Sequence, residues 1–381
     1  MHLLHIVGAR PNFMKAAPVL RACQCWPGVR QTLIHTGQHY DANMSDVFFK
    51  QLDIPTPDAN LEVGSLSHAK QTAEVMCRLE GLLERYQPDV AVVYGDVNST
   101  VAATLVCSKL LIPVAHVEAG LRSFDRTMPE EVNRIVTDHL ADILFTPSED
   151  ADRNLQSEGI PAHKIHAVGN VMIDSLIRLL PRAMDVSSAG ICRPYVLVTL
   201  HRPSNVDDSA VLTEIMGALH EVAEQLEVVF PVHPRTRGRI ASGNLEASNI
   251  RFLEPLSYID FLALQCRATA VITDSGGVQE ETTYLGVPCL TLRNNTERPV
   301  TVTMGTNILL GQNPRKLPVE IRKILEGKVR KGCIPPLWDG RCGERISEVL
   351  VGHVRPESQR MSIPPSSLPA YAGVVVSQSE R

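Results

Sequence analysis

One phrase recurs along the chain: a short β-branched apolar run, a turn of glycine or polar residues, then a helical stretch. HLLHIVG, RQTLIHTG, DVAVVYGD, PVAHVEAG, DILFTP and KIHAVGN carry it through the first half. YVLVTLH, EVVFPVH, NIRFLEP, TAVITDSGG and PCLTLR carry it through the second. The runs are apolar on both faces, as parallel strands covered by helices must be. Strands alternating with helices make βαβ units and doubly wound sheets. Two such sets imply an α/β chain of two Rossmann-like domains facing each other across a cleft. A length of 381 residues, more than one core usually supports, agrees.

The first domain is expected over residues 1–175 and the second over 176–340. MDVSSAGICRP reads as the linker at the seam, rich in small residues and closed by proline. A last helix near 341–352 is expected to pack back on the first domain. Residues 355–381, rich in Pro and Ser and without a period, read as a disordered tail.

Several function classes drop out on composition. A net charge of −5 gives no basic face for nucleic acid and no attraction to anionic membranes. No run of about 18 apolar residues exists to span a bilayer. MHLLHIVGARP lacks the basic start and apolar length of a signal peptide. The nine cysteines are odd in number and scattered, with no CxxC and no zinc spacing. The expectation is a cytoplasmic protein with reduced thiols and no metal.

Ligands of such sheets bind beyond the carboxyl ends of the strands, so the residues after each run carry the chemistry. In TDSGGVQEE a strand ends at two glycines and a helix begins, a geometry that aims free N–H groups and the positive dipole end at an anion. Ser275, Gly276 and Gly277 are the phosphate-binding candidates, with Ser275 also a plain N-cap. Glu281, one turn into the helix, is placed to accept hydrogen bonds from ribose hydroxyls. GARPNFMK occupies the first βα turn, but the GxGxxG of dinucleotide enzymes is absent. Arg10 and Lys15 stand there instead, and fixed cations at a helix start suit a diphosphate. HRPSN and HPRT put His201, His233 and Arg235 at two strand ends of the second domain, where they can meet phosphate oxygens or move protons.

The acids gather in the first domain. Asp96 follows a strand in VVYGDVNST, either as an N-cap or as a carboxylate aimed outward. In HVEAGLRSFDRTMPEEVNR, Thr127 and Glu130 have the spacing of a capping box, with Pro129 in the first turn. Capping accounts for Glu130 but not for Glu118, an acid directly after a buried strand. Such a carboxylate needs a partner, and Arg122 and Arg134 are the candidates. Glu131 lies about 100° round the helix from Glu130 and is expected to be a support.

With these blocks in order, the chain closely resembles the non-hydrolysing UDP-N-acetylglucosamine 2-epimerases. GARPNFMK, YGDVNST, HVEAGLRS, MPEEVNR, TLHRPSN, PVHPRTRG, TDSGGVQEE, TERP and WDGRCGERI all match, over about residues 1–350. The resemblance implies a GT-B-like fold, a UDP-sugar substrate, no cofactor and a homodimer. It implies C2 epimerisation of UDP-GlcNAc to UDP-ManNAc through elimination of UDP to 2-acetamidoglucal and its re-addition. It assigns acid and base work to Asp96, Glu118 and Glu130, and handling of UDP to Arg10, Lys15 and His201. Arg298 of TERP joins Ser275, Gly276, Gly277 and Glu281 at the UDP site.

The sequence also departs from the family. Asn12 stands where many members have Glu, the TGQHYD loop differs from that of members activated by a second UDP-GlcNAc, and Val300 replaces a common Glu. Rival readings are the same chemistry on a UDP-2,3-diacetamido-glucuronate, a hydrolysing epimerase, a GT-B glycosyltransferase and a non-catalytic UDP-sugar sensor.

Overall fold

The computed structural model describes residues 1–38, 51–186, 191, 194–243, 245, 249–353 and 375–376, without the side chains of Arg10, Arg235, Val375 and Val376. The strands are β1 His2–Val7, β2 Arg30–His35, β3 Ala59–Asn60, β4 Val90–Tyr94, β5 Val114–Val117, β6 Ile143–Thr146, β7 Ile165–Ala167, β8 Tyr195–Thr199, β9 Glu227–Pro231, β10 Ile250–Leu253, β11 Ala270–Thr273, β12 Cys289–Thr291, β13 Asn307–Leu309 and β14 Val375–Val376. Each repeated apolar run of the sequence is one of these strands. β3 and β13 have no such run to announce them, being only two and three residues long.

The chain forms two compact units, Met1–Ser175 with Pro336–Arg381, and Leu176–Pro335. In the first, the sheet order is β14-β3-β2-β1-β4-β5-β6-β7, and every pairing is parallel except β14 with β3. In the second it is β10-β9-β8-β11-β12-β13, parallel throughout. Both sheets thus run outward in two directions from a pair of central strands, β1 and β4 in one and β8 and β11 in the other. That reversal of order is the switch point at which open α/β sheets bind ligands.

The central strands are apolar on both faces because helices cover both. Leu4, Ile6, Ala91 and Val93 lie in one core, and Val196, Val198, Phe230 and Ile272 in another, all buried. Each such aliphatic side chain contributes roughly 1.5–3 kcal/mol of burial. Among the described residues no helix is long and apolar enough to cross a membrane.

The helices of the first unit that bear on function are α1 Arg10–Gln24, α2 His68–Tyr86, α3 Asn98–Lys109, α4 Pro129–Leu140, α5 Glu149–Ser157 and the first residues of α6 Val171–Asp185, which passes into the second unit after Ser175. The late helix Cys342–Gly352 belongs to this unit too. Trp26 Nε1, just beyond α1, donates to Ser347 Oγ at 3.1 Å. Asp174 in α6 caps the same late helix, accepting the backbone N–H groups of Cys342 at 3.2 Å and Gly343 at 2.8 Å. These satisfy two of the donors every helix start leaves open. The disordered tail expected from residue 355 lies outside the described residues, save for the backbone of β14.

Burial pushes the Asp174 carboxyl up to about 6, against the two N–H groups it accepts. A carboxyl raised by folding stabilises most below its unfolded value and loses that contribution as the pH rises through its folded one. Asp174→Ala should therefore destabilise the protein by about 1–2 kcal/mol near pH 5. The loss should shrink by pH 8, as read from urea melts at the two pH values.

Candidate active site

Glu118 is the residue directly after β5, and it is buried with a backbone φ of +74°. L-residues avoid that region, so the surroundings hold the conformation against its cost. Part of the hold is visible: the N–H groups of Glu118 and Ala119 both donate to the Phe145 carbonyl, at 3.1 and 2.9 Å. Two positions on, Gly120 has φ +80°, and a Cβ there would stand 2.5 Å from the Ala151 carbonyl oxygen. The carboxylate of Glu118 forms a buried ion pair with Lys15 of α1.

That pairing corrects the sequence reading, which offered Arg122 and Arg134 as the partners of Glu118. Arg122 instead binds Asp138 through Nη1 at 2.7 Å and grips Glu158 with Nε and Nη2 at 2.7 and 2.8 Å. Arg134 reaches Asp96, donating from Nε and Nη2 to one carboxylate oxygen at 3.0 and 2.6 Å. Its third donor goes to Glu131 at 2.6 Å. Asp96 stands after β4, the strand beside β5, and is not an N-cap: the helix that follows is α3, and the residue before it is Val97.

The two adjacent glutamates of α4 part as the helix geometry requires. Glu131 is buried, and its carboxylate accepts the N–H and hydroxyl of Ser123 and the N–H of Phe124, each at 2.9 Å. Glu130 is half-buried and has no side-chain hydrogen bond or ion pair among the described residues. The expected capping box does not form. The helix starts at Pro129 with Met128 as its N-cap, and the Thr127 hydroxyl is taken by Asp125 at 2.6 Å. Proline at the first helical position leaves Thr127 one residue too early to cap.

Asn12 closes the switch point of this sheet. Its side-chain oxygen accepts the N–H groups of Gly8 and Ala9, both at 3.0 Å, and its amide donates to the Tyr94 carbonyl at 2.8 Å. A glutamate here has no hydrogen to give Tyr94, so the departure at Asn12 carries a contact of its own. The departure at TGQHYD falls largely on residues outside those described.

In the second unit a buried aspartate plays the corresponding part. Asp274, after β11, accepts the N–H groups of His201 at 3.1 Å and Arg202 at 3.0 Å and the amide of Asn205 at 3.0 Å. Its other oxygen meets His201 Nδ1 at 2.9 Å. Burial alone raises this carboxyl, but the His201 ring and the N–H groups outweigh it and hold it below the ordinary range. The His201 ring is oriented by Asp274 and otherwise open, with 60% of the side chain exposed.

The helix Gly276–Leu285 begins beyond Ser275. Ser275 stands at the N-cap position but makes no side-chain cap. Ser275, Gly276 and Gly277 are all partly exposed, and the first-turn amides of a helix have no partner within it. A Cβ at Gly276 would come 2.4 Å from Arg298 Nη1 and 2.8 Å from Glu297 Oε1, so glycine is what lets the turn lie on this ion pair. Arg298 is buried between Glu297 at 2.6 Å and Glu280 at 2.7 Å. Glu281 is buried, with the Tyr258 hydroxyl donating to it at 2.9 Å. Burial pushes its carboxyl up to about 7; the Tyr258 hydrogen bond opposes this and the charge of Glu280 adds to it. His233, before the helix Pro234–Ser242, is exposed. The side chains of Arg10 and Arg235 lie outside those described.

Sequence reading passed over Asp138 and Tyr258, and placed Asp274 at a strand end without giving it a role. One signal was available for the first: Glu131, Arg134 and Asp138 recur at helical spacing, so they share a face of α4. Among the described residues no group of three His, Cys, Asp or Glu side chains could hold a metal ion.

Two parallel sheets of this order define a GT-B-like α/β protein. The family model for UDP-N-acetylglucosamine 2-epimerase matches residues 21–351. The UDP-N-acetylglucosamine 2-epimerase of Methanocaldococcus jannaschii is 43% identical over 364 residues, covering 92% of this chain and 99% of its own. A UDP-2,3-diacetamido-2,3-dideoxy-D-glucuronate 2-epimerase of Pseudomonas aeruginosa is 42% identical over 353 residues, with the same coverage. A crystal structure of the M. jannaschii enzyme in complex with UDP-GlcNAc and UDP aligns with a TM-score of 0.86, covering 92% of this chain and 100% of that one. The chain belongs to the UDP-N-acetylglucosamine 2-epimerase family.

The backbone at Gly120 gives a direct test of how tightly the acid loop is built. Gly120→Ala combines a left-handed conformation, worth about 1–2 kcal/mol against an L-residue, with an overlap on backbone. It should lower the melting temperature by several degrees, and an unchanged midpoint would show that the loop can move.

Proposed function

We propose that this chain interconverts UDP-GlcNAc and UDP-ManNAc without hydrolysis. The carrying observation is the pair of acids after adjacent strands, Glu118 against Lys15 and Asp96 against Arg134, in one unit. The other unit, taken by itself, carries a glycine turn backed by Arg298 and a buried acid at Glu281.

The chemistry needs these parts. The proton on C2 of the sugar is weakly acidic, so a positioned carboxylate must take it. As it leaves, the C1–O bond breaks, its electrons go to the UDP oxygen, and C1=C2 forms, giving 2-acetamidoglucal. UDP then adds back at C1 while an acid delivers a proton to the opposite face of C2. Asp96, Glu118 and Glu130 are the acid and base groups in this reading, with His201 beside the departing diphosphate. Lys15 and Arg10 neutralise charge that develops on UDP, and His233 and Arg235 lie on the same carboxyl-end side of the second sheet. Ser275, Gly276 and Gly277 offer backbone N–H groups to phosphate, and Glu281 accepts the ribose hydroxyls. The reading includes a homodimer.

The 42% identity to the P. aeruginosa enzyme favours one second reading, the same reaction on a UDP-2,3-diacetamido-glucuronate. Incubation with UDP-GlcNAc in D2O, followed by NMR, should show deuterium entering C2 as UDP-ManNAc forms. Free ManNAc would replace the proposal with a hydrolase, and turnover of the diacetamido-uronate alone would change the substrate. Glu118→Gln should bind UDP normally and lose about 100-fold or more in exchange rate; exchange at the wild-type rate would remove Glu118 from the chemistry.

Glu281 gives the reading a pH signature. With its carboxyl at about 7, the hydrogen-bond-accepting carboxylate is scarce at pH 6 and prevalent at pH 8. The UDP affinity of wild type relative to Glu281→Gln should rise by about tenfold over that interval. Taking the ratio cancels the ionisation of UDP itself. A ratio independent of pH, measured by calorimetry, would exclude the ribose role.

A further inference from the structure

Behind the two acid loops lies a buried group of charges that the proposed reaction does not use. His116, in β5, is fully buried. Its Nδ1 meets Asp138 Oδ1 at 2.6 Å, and its Nε2 meets the Gly95 carbonyl at 2.8 Å. Both ring nitrogens face oxygens, so the imidazole is held from both sides. The second oxygen of Asp138 accepts the Gly120 N–H at 3.1 Å and Arg122 Nη1 at 2.7 Å. Glu158 completes the set on the far side of Arg122. One guanidinium, one imidazole and two carboxylates thus meet at hydrogen-bond distance. Burial would raise the Asp138 carboxyl, but His116 and Arg122 outweigh it and keep it below the ordinary range.

The two backbone atoms held by this group are informative. Gly95 immediately precedes Asp96, and Gly120 lies two residues after Glu118. One carboxylate on α4 therefore fixes both loops that carry the proposed acids, the second directly and the first through an imidazole. The same face of α4 carries Arg134, which holds the Asp96 side chain, and Glu131, which holds the backbone of Ser123 and Phe124. A fold in need of stability alone is served as well by apolar residues, since a buried charge cluster often gives no net gain over them. What the charges add is direction: hydrogen bonds fix the carbonyl of Gly95 and the N–H of Gly120 to within the tolerance that proton transfer demands.

We propose that Asp138 and His116 are positioning residues that register the Asp96 and Glu118 loops against each other for proton transfer at the sugar. The proposal rests on the epimerase reading above. The decisive variants are Asp138→Asn, which turns an N–H group toward either His116 or the Gly120 and Arg122 donors, and His116→Gln, which keeps one of the two ring contacts at most. In each, the kcat of C2 exchange should fall at least tenfold. KM for the UDP-sugar and the affinity for UDP alone should stay within about threefold. Hydrogen–deuterium exchange of the peptide holding residues 118–124, read by mass spectrometry, should quicken in Asp138→Asn.

A folded variant with kcat within twofold of wild type overturns the proposal. So does a loss of UDP affinity as large as the loss of kcat, which is the mark of general damage. An Asp138→Asn chain that fails to fold assigns Asp138 a structural role, and His116→Gln, which leaves Asp138 and Arg122 in place, then decides for His116 by the same criteria. Wild-type protein without C2 exchange overturns the epimerase reading instead. The quickened exchange of residues 118–124 would still report the clamp.

Discussion

Carboxylates at the end of a parallel sheet are stabilised by cations set against them, and this pairing organises the first unit. Taking one ion out of water costs several kcal/mol, and leaving it unpaired costs about 3–5 kcal/mol when its partner is removed. Lys15 meets Glu118 and Arg134 meets Asp96. Each cation comes from a helix that packs against the strand ends, α1 in one case and α4 in the other. The acids are therefore fixed by elements far from them in sequence: Lys15 and Glu118 are 103 residues apart. The strained φ of Glu118 is held in the same way, by two N–H groups on one carbonyl of β6.

The second unit uses a buried carboxylate for a different end. Asp274 gathers backbone N–H groups and the His201 ring across its switch point, so it shapes the edge. Arg298 follows the reverse arrangement, a cation between two glutamates beneath a glycine turn. In TDSGGVQEE the functions are thus distributed along one stretch. Asp274 ties the strand ends together, Gly276 permits close approach to Arg298, and Glu281 sits deep enough that its carboxyl titrates near neutrality.

Much of this was legible in the sequence, because the signals are local. Double-sided apolar runs mark buried parallel strands, and the polar residues after them mark the functional edge. β3 and β13 were not legible, since two or three residues carry no period. The pairing of charges was not legible either. HVEAGLRSFDRTMPEEVNR holds three arginines near its acids, and the sequence offered Glu118 two of them, Arg134 and the nearer Arg122. The structure sends that arginine to Asp138 and Glu158 and brings a lysine from the first helix. The Thr127 cap failed for a local reason, one residue of register set by Pro129. The face formed by Glu131, Arg134 and Asp138 was visible as a spacing. Its meaning required the loops against which it packs.

What separates the two adjacent glutamates of α4 is the state of their oxygens. Both oxygens of Glu131 accept hydrogen bonds from a loop backbone and from Ser123, and Arg134 neutralises it. Glu130, one residue away and about 100° round the helix, carries no such commitment among the described residues and keeps partial access to solvent. The same helix thus holds the loop with one glutamate and leaves the oxygens of its neighbour without a partner among the described residues.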